Sequence, residues 1–238
     1  MTLDVQYGSV AAATYDPLIS SAVPADDVIA RLRPYLDGAR VLEIGVGTGR
    51  IAIPAAALAA ELVGMDNSAA MLEVCRAKPL PENLSLVEAD FRRPLPISGP
   101  FDLAYTALGS LAYVDSSEQL RTALGHVREV LRPGGTVVLD FYSTVVYRQL
   151  ADLHQVTVPA PQGGMATFTV TIDDADRLTM ATRLEEEGKA PVSFEERVLL
   201  LEPDAVTECL AAAGFTVDQV DVSDGSQTHD WYVAHRNE

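Results

Sequence analysis

Residues 41–50 read Val41-Leu42-Glu43-Ile44-Gly45-Val46-Gly47-Thr48-Gly49-Arg50, an apolar run that breaks into glycine at every second position. The run suits a buried strand, the glycines a tight loop, and the residues from about 49 to 59 a helix. Glycines at 45 and 47 let a ligand approach the backbone closely, because a Cβ at either position would collide with it. A dinucleotide loop would read G-x-G-x-x-G, with its third glycine at position 50. Position 50 is arginine, and the spacing is E-x-G-x-G-x-G, with an acid, Glu43, two residues before the first glycine. A glycine loop alone is a weak signal; one that follows a strand and opens a helix is a strong one.

Outward from this loop, short β-branched or apolar runs alternate with longer helical patterns between Val41 and Phe141, the signature of a parallel sheet with helices on both faces. Strands are expected near 41–44, 61–65, 84–87, 101–106 and 136–141. Helices fall near 49–59, 68–77 and 117–131, the last stopped by Pro133-Gly134-Gly135. An amphipathic helix near 25–36, with Val28, Ile29, Leu32 and Leu36 on one face, precedes the first strand. After Tyr142 the period changes. A helix from about 145 to 154 leads to a Pro-rich turn around Pro159 and Pro161, and alternation then takes over. Phe168, Val170 and Ile172 share one face of a strand, Leu178, Met180, Thr182 and Leu184 one face of the next, and a third strand lies near 192–201. This reads as an antiparallel meander inserted into, or laid over, the parallel domain. A helix at 203–213, ended by Gly214, and strands near 215–222 and 230–235 complete the chain.

Composition narrows the function. With 17 basic against 34 acidic residues the net charge is −17. No nucleic-acid partner is expected, since phosphate neutralisation needs a basic footprint and Lys/Arg clustering stops at Arg92-Arg93. Anionic membrane surfaces are disfavoured for the same reason. Cys75 and Cys209 both fall in helical stretches and build neither a disulfide framework nor a zinc spacing, so no metal is expected and a reduced, cytoplasmic setting fits best. The N-terminus lacks a basic region followed by an apolar run, and the longest apolar stretch, Ile51 to Leu62, is interrupted by Pro54; neither export nor a membrane span is expected.

Four further motifs accompany the loop. The second strand ends Val63-Gly64-Met65-Asp66-Asn67-Ser68, with Asp66 about 20 residues beyond the first glycine, the separation at which an acid reaches ribose hydroxyls. The third leads into Glu88-Ala89-Asp90-Phe91, the fourth into Thr106-Ala107-Leu108-Gly109-Ser110, and near the N-terminus stand Tyr7-Gly8 and Thr14-Tyr15-Asp16. Over roughly residues 7–141 these residues resemble the class I S-adenosylmethionine-dependent methyltransferase family. The resemblance implies an α/β, Rossmann-like fold with a seven-stranded, mostly parallel sheet of order 3-2-1-4-5-7-6, the last strand antiparallel, with helices on both faces and an antiparallel lid inserted after strand 5. It divides the single domain 1–238 into N-terminal capping helices 1–37, a cofactor-binding half 38–142, an acceptor-covering lid 143–201, and a terminal helix with strands 6 and 7 at 202–238. S-adenosylmethionine is the implied cofactor. Glu43, Gly45 and Gly47 would form its loop, Asp66 would hold both ribose hydroxyls, Asn67 would border the adenine, and Met71 would pack on it. Asp90 would take the adenine amino group and the backbone of Phe91 a ring nitrogen. Thr106 would lie nearest the sulfonium, and Tyr15, with Tyr7, would close over the methionine end. An alternative role for Asp66 is the helix N-cap, which Ser68 could fill instead. Arg50 has a choice between the cofactor carboxylate and a neighbouring acid.

Methyl transfer from a sulfonium is an in-line displacement that alignment and water exclusion can accelerate, so a base is optional; where one acts it contributes roughly 10² to 10⁴ in rate. His154, at the start of the lid, and His229, which Asp230 could orient, are the base candidates, and Tyr142, at the end of the fifth strand, a candidate for acceptor contact. The acids Glu185-Glu186-Glu187 and Glu195-Glu196 would either attract a cationic acceptor or stand as a solvated turn. A lid over the crevice favours a small organic acceptor, oxygen or nitrogen, from natural-product metabolism; the alternative is that the meander forms a homodimer interface. Three other readings stay open on the residues: use of the bound sulfonium in a cyclisation or decarboxylation, a non-catalytic binding subunit, and a nicotinamide oxidoreductase, which Arg50 disfavours.

Overall fold

The computed structural model describes residues 8, 10–12, 14–20 and 23–238; Tyr7 lies outside them. Residues 8, 10 and 11 are helical, and helices α1 (Tyr15–Ser20) and α2 (Ala25–Leu36) follow them. There follow β1 (Arg40–Ile44), α3 (Ala52–Ala56), β2 (Glu61–Asp66), α4 (Ala69–Arg76), β3 (Leu84–Glu88), β4 (Phe101–Thr106), α5 (Ser117–Val130) and β5 (Leu131–Tyr142). Then come α6 (Thr144–Leu153), β6 (Gln155–Pro159), β7 (Met165–Ile172), β8 (Arg177–Glu185), β9 (Val192–Leu199), α7 (Pro203–Ala212), β10 (Phe215–Asp221) and β11 (His229–Arg236).

Seven strands form one sheet in the order β10-β11-β5-β4-β1-β2-β3. With β10 and β11 as the sixth and seventh strands this is the expected order; β11 runs antiparallel to β5, and β1 to β5 are parallel to one another. Alternation along the strands sends Val41, Leu62, Leu103 and Tyr105 to one face, under α2, α3 and α4. Leu42, Val63, Ala104 and Val137 go to the other, under α5 and α7. The strands therefore read as continuous apolar runs, because a parallel sheet is covered on both sides.

A second, four-stranded antiparallel sheet, β6-β7-β8-β9, follows α6. Its side chains meet in cross-strand rows, Val156-Phe168-Thr182-Phe194 and Val170-Met180-Glu196, and it roofs the carboxyl ends of the parallel strands.

Three elements depart from expectation. The first crossover helix spans only Ala52–Ala56 because Gly49 is held at φ +77° and the loop turns through Ile51; Pro54 thereby falls in the first helical turn, where its missing N–H costs nothing. The Pro133-Gly134-Gly135 segment lies inside β5, absorbed where the pairing with β4 jumps between Phe101 and Leu103. Residues 155–159 form a strand that was not expected, ahead of a turn at 160–164 in the Pro-rich stretch; Pro159 is tolerated because it ends an edge strand. Among the described residues no helix is long and apolar enough to cross a membrane.

Glu43 and Tyr105 are register partners on β1 and β4, and the tyrosine hydroxyl donates to Glu43 Oε2 at 2.6 Å inside the covered face. Burial raises the Glu43 pKa from 4.5 to about 8. The native state therefore holds a proton there that the unfolded chain has released, and stability from this group falls as pH rises from about 4.5 to about 8. Urea unfolding of the free protein against its Glu43→Gln variant, which keeps an acceptor for Tyr105, should show wild type losing stability relative to the variant across that window. A constant difference would mean the carboxyl is ionised throughout.

Candidate functional site

A cavity of about 320 Å³ opens between the carboxyl ends of β1, β2, β4 and β5, the capping helix α1 and the roof sheet. The glycine loop forms one end. Gly45 and Gly47 both line it at positive φ, +76° and +53°, a region that favours residues without a Cβ. Glycine at 45 also answers to a protein contact: a Cβ there would stand 2.3 Å from Ser110 Oγ in the loop after β4. At Gly47 a Cβ would meet no protein atom within 4 Å.

Asp66 is the hinge of this end. Its Oδ2 accepts the Gly47 N–H and its Oδ1 the Ser68 N–H, each at 2.8 Å, and the carboxylate lines the cavity. Ser68 takes the N-cap role itself, its hydroxyl accepting from Met71 N–H. Asn67, Met71 and Phe91 line the same wall with Ala89. Tyr15 enters from α1, where burial, with the negative charge of Glu196, raises its hydroxyl pKa well above the ordinary value. Helix α1 is fastened to the glycine loop through Asp16, which accepts from the Thr48 hydroxyl and from Lys78.

Three residues expected at the cofactor do not line the cavity. Glu43 lies beneath the loop, paired with Tyr105. Asp90 turns onto Arg92, accepting from Nε at 2.8 Å and Nη2 at 3.0 Å. Thr106 is wholly buried and donates to Asp140 at 3.3 Å. Leu108 and Ser110 take the wall position instead. Leu108 adopts a left-handed φ of 63°, held there by Asp140, whose carboxylate accepts the N–H of Leu108 at 2.6 Å and of Gly109 at 2.9 Å.

The catalytic candidates separate. His154 is exposed at the end of α6 and away from the cavity. His229 and Tyr142 line the cavity together, ring centroids 4.9 Å apart, and Tyr147 packs edge-on against Tyr142 at 4.9 Å. Burial pushes the His229 pKa below its ordinary value, against the charges of Asp140 and Asp230. Its Nδ1 pairs with Thr228 Oγ1 at 2.9 Å, and its buried Nε2 has no hydrogen-bond partner among the described residues.

Glu196 completes the site. It is buried on the inner face of the roof, and burial raises its pKa although Tyr113 and Tyr142 donate to it. Both hydroxyls converge on Oε2, at 2.7 and 3.1 Å, and Oε1 accepts no hydrogen bond among the described residues. Of the acidic runs noted in the sequence, this is the one carboxylate that lines the cavity. Strand alternation could have found it: Val192, Phe194, Glu196 and Val198 share a face, while Glu195 and Arg197 stand outside.

These residues fit S-adenosylmethionine. Asp66 offers acceptors for ribose hydroxyls, Gly47 leaves open space beside the backbone, and Met71 and Phe91 offer apolar walls. Arg50, with Nη1 bound to Val23 O at 2.6 Å, keeps Nε and Nη2 buried without partners among the described residues, donors suited to a carboxylate.

Residues 41–135 match a family model described as a methyltransferase domain. The chain is 27% identical over 235 residues to a cypemycin N-terminal methyltransferase of Streptomyces, covering 98% of this chain and 94% of that one. It is 32% identical over 200 residues to an uncharacterized methyltransferase of Bacillus licheniformis, covering 84% and 79%. Among solved structures it superposes on the CcbJ methyltransferase from Streptomyces caelestis with a TM-score of 0.85 at 23% identity, over 98% of both chains. SAM-bound CalS10, an amino pentose methyltransferase from Micromonospora echinaspora involved in calicheamicin biosynthesis, gives 0.74 at 22% identity, over 91% of both. At these identities the structural likeness speaks for the fold.

Removing the Asp66 carboxylate frees the Gly47 and Ser68 amides and withdraws the acceptors for the ribose. Asp66→Ala should weaken S-adenosylmethionine binding by about 1–3 kcal/mol in calorimetry. Unchanged affinity in a folded variant would place the ribose elsewhere.

Proposed function

The chain belongs to the class I S-adenosylmethionine-dependent methyltransferase family, and on that premise we propose that it methylates a nitrogen of a small-molecule amine in specialised metabolism. The observation that carries this reading is the pairing, in one cavity, of a buried carboxylate with an open oxygen, Glu196 Oε1, and a neutral buried imidazole, His229. Tyr15, Tyr113, Tyr142 and Tyr147 line the same cavity, and aromatic faces around a carboxylate suit a cation. The named activities of the similar proteins support it as well, one an N-terminal methyltransferase and another an amino pentose methyltransferase involved in calicheamicin biosynthesis.

S-adenosylmethionine, held by Asp66, the Gly45–Gly47 loop and the Met71 and Phe91 walls, would supply an electrophilic methyl for the acceptor nitrogen, with its sulfur as the leaving group. The chain does the rest. Glu196 draws an ammonium into the cavity and holds it against Tyr142. An ammonium has no lone pair to attack with, so one proton must leave first. His229 can take it: when Nδ1 donates to Thr228, Nε2 is an acceptor facing no competing donor among the described residues. Asp140 and Asp230 stabilise the imidazolium that results. The roof and α1 exclude water, while Asp140 fixes the Leu108–Ser110 wall so that nitrogen and methyl meet in line.

A base must be neutral to act, so the rate falls as pH drops through the His229 pKa, which lies below 6.5. With labelled methyl, His229→Asn should lower kcat by roughly 10² to 10⁴-fold, erase that acid limb and leave cofactor affinity unchanged. An unaltered pH profile would remove the imidazole from the proton's path.

A further inference from the structure

The roof sheet is made of alternating strands, so its inner face can be read row by row. Of the roof-strand side chains that line the cavity, Val156, Phe168, Val170, Met180 and Glu196, only Glu196 carries a polar atom. Val170, Met180 and Glu196 are neighbours in one cross-strand row, and Val156 and Phe168 form the next. Leu150, from α6, extends the apolar wall. Beside Glu196 the Tyr113 and Tyr142 hydroxyls are engaged as donors, both giving their protons to its Oε2. Glu196 Oε1 thus stands at the edge of a wall whose side chains carry no donor and, apart from the Met180 sulfur, no acceptor.

We infer that the acceptor is an amine carried on an extended apolar body, seated with its nitrogen at Glu196 and its body against Met180, Val170, Phe168, Val156 and Leu150. This deepens the amine reading and rests on it. A polyhydroxylated amine such as an amino sugar would bury hydroxyls against this wall without partners, which is penalised, whereas each methylene placed there strengthens binding roughly fourfold. The charge preference and the body preference come from different residues, Glu196 and the row beside it, and so can be separated.

The test is a labelled-methyl assay, with calorimetry on the protein loaded with S-adenosylhomocysteine, using phenylbutylamine, phenylbutanol and glucosamine. Phenylbutylamine should bind and be methylated at least about tenfold better than either other compound, tenfold being under two buried methylenes on the scale above. Glu196→Gln should abolish the preference for the amine over the alcohol while keeping the preference for phenylbutylamine over glucosamine. Met180→Gln, a near-isosteric polar replacement, should do the reverse, raising KM for phenylbutylamine with cofactor affinity unchanged. Glucosamine equal to or better than phenylbutylamine overturns the apolar body and leaves amine methylation standing. Phenylbutanol methylated in place of phenylbutylamine overturns the amine reading, and this inference with it. Absence of binding by all three at millimolar concentration, with the cofactor bound, counts against the apolar seat.

Discussion

The crevice depends on one carboxylate. Asp66, at the end of β2, accepts an N–H from the glycine loop after β1 and another from the first residues of α4. Two adjacent parallel strands, each ending in an irregular turn, are thereby held in one relative position at the floor of the cavity. Charge-assisted bonds of this kind are short and directional. Helix α1 then locks onto the same loop through Asp16, Thr48 and Lys78, so the cap and the floor share a support.

A second carboxylate, Asp140, performs the equivalent task on the other side of the crevice. It holds Leu108 in a left-handed conformation and keeps the loop after β4 pressed against the glycine loop, where Ser110 faces Gly45. Gly109 is required for a related reason, since a Cβ there would stand 2.3 Å from the Tyr142 ring. The loop glycines therefore serve the contacts of loops with one another as much as the approach of a ligand. Buried acids near His229 also set the electrostatics, because a neutral imidazole flanked by Asp140 and Asp230 can gain a proton without facing an uncompensated charge.

The roof brings opposite requirements into one surface. Its inner face must be apolar to pack on α6 and the end of β5, yet it carries Glu196 into that environment. Two tyrosine hydroxyls, from the loop after β4 and from β5, offset the desolvation of a single oxygen and leave the other open. A buried acid that is half satisfied is costly for a scaffold and useful for a binding site.

Local rules sufficed for much of the molecule. The E-x-G-x-G-x-G loop, the alternation of apolar runs with amphipathic helices, and the acid that ends β2 were enough for the fold class and the position of every strand but β6, because strand burial and glycine geometry are written within a few residues of one another. The Ser68 cap was legible for the same reason. The tertiary structure alone decided the rest. Thr106 sank beneath the wall onto Asp140, and His154 and His229, equal as isolated residues, were divided by whether a neighbouring element covers them. Glu196 stands 54 residues from Tyr142 and 83 from Tyr113 along the chain, so no local pattern could announce that three polar groups meet there. Periodicity assigns a side chain to a face; only the packing of distant elements decides whether that face meets water, a core or a cavity.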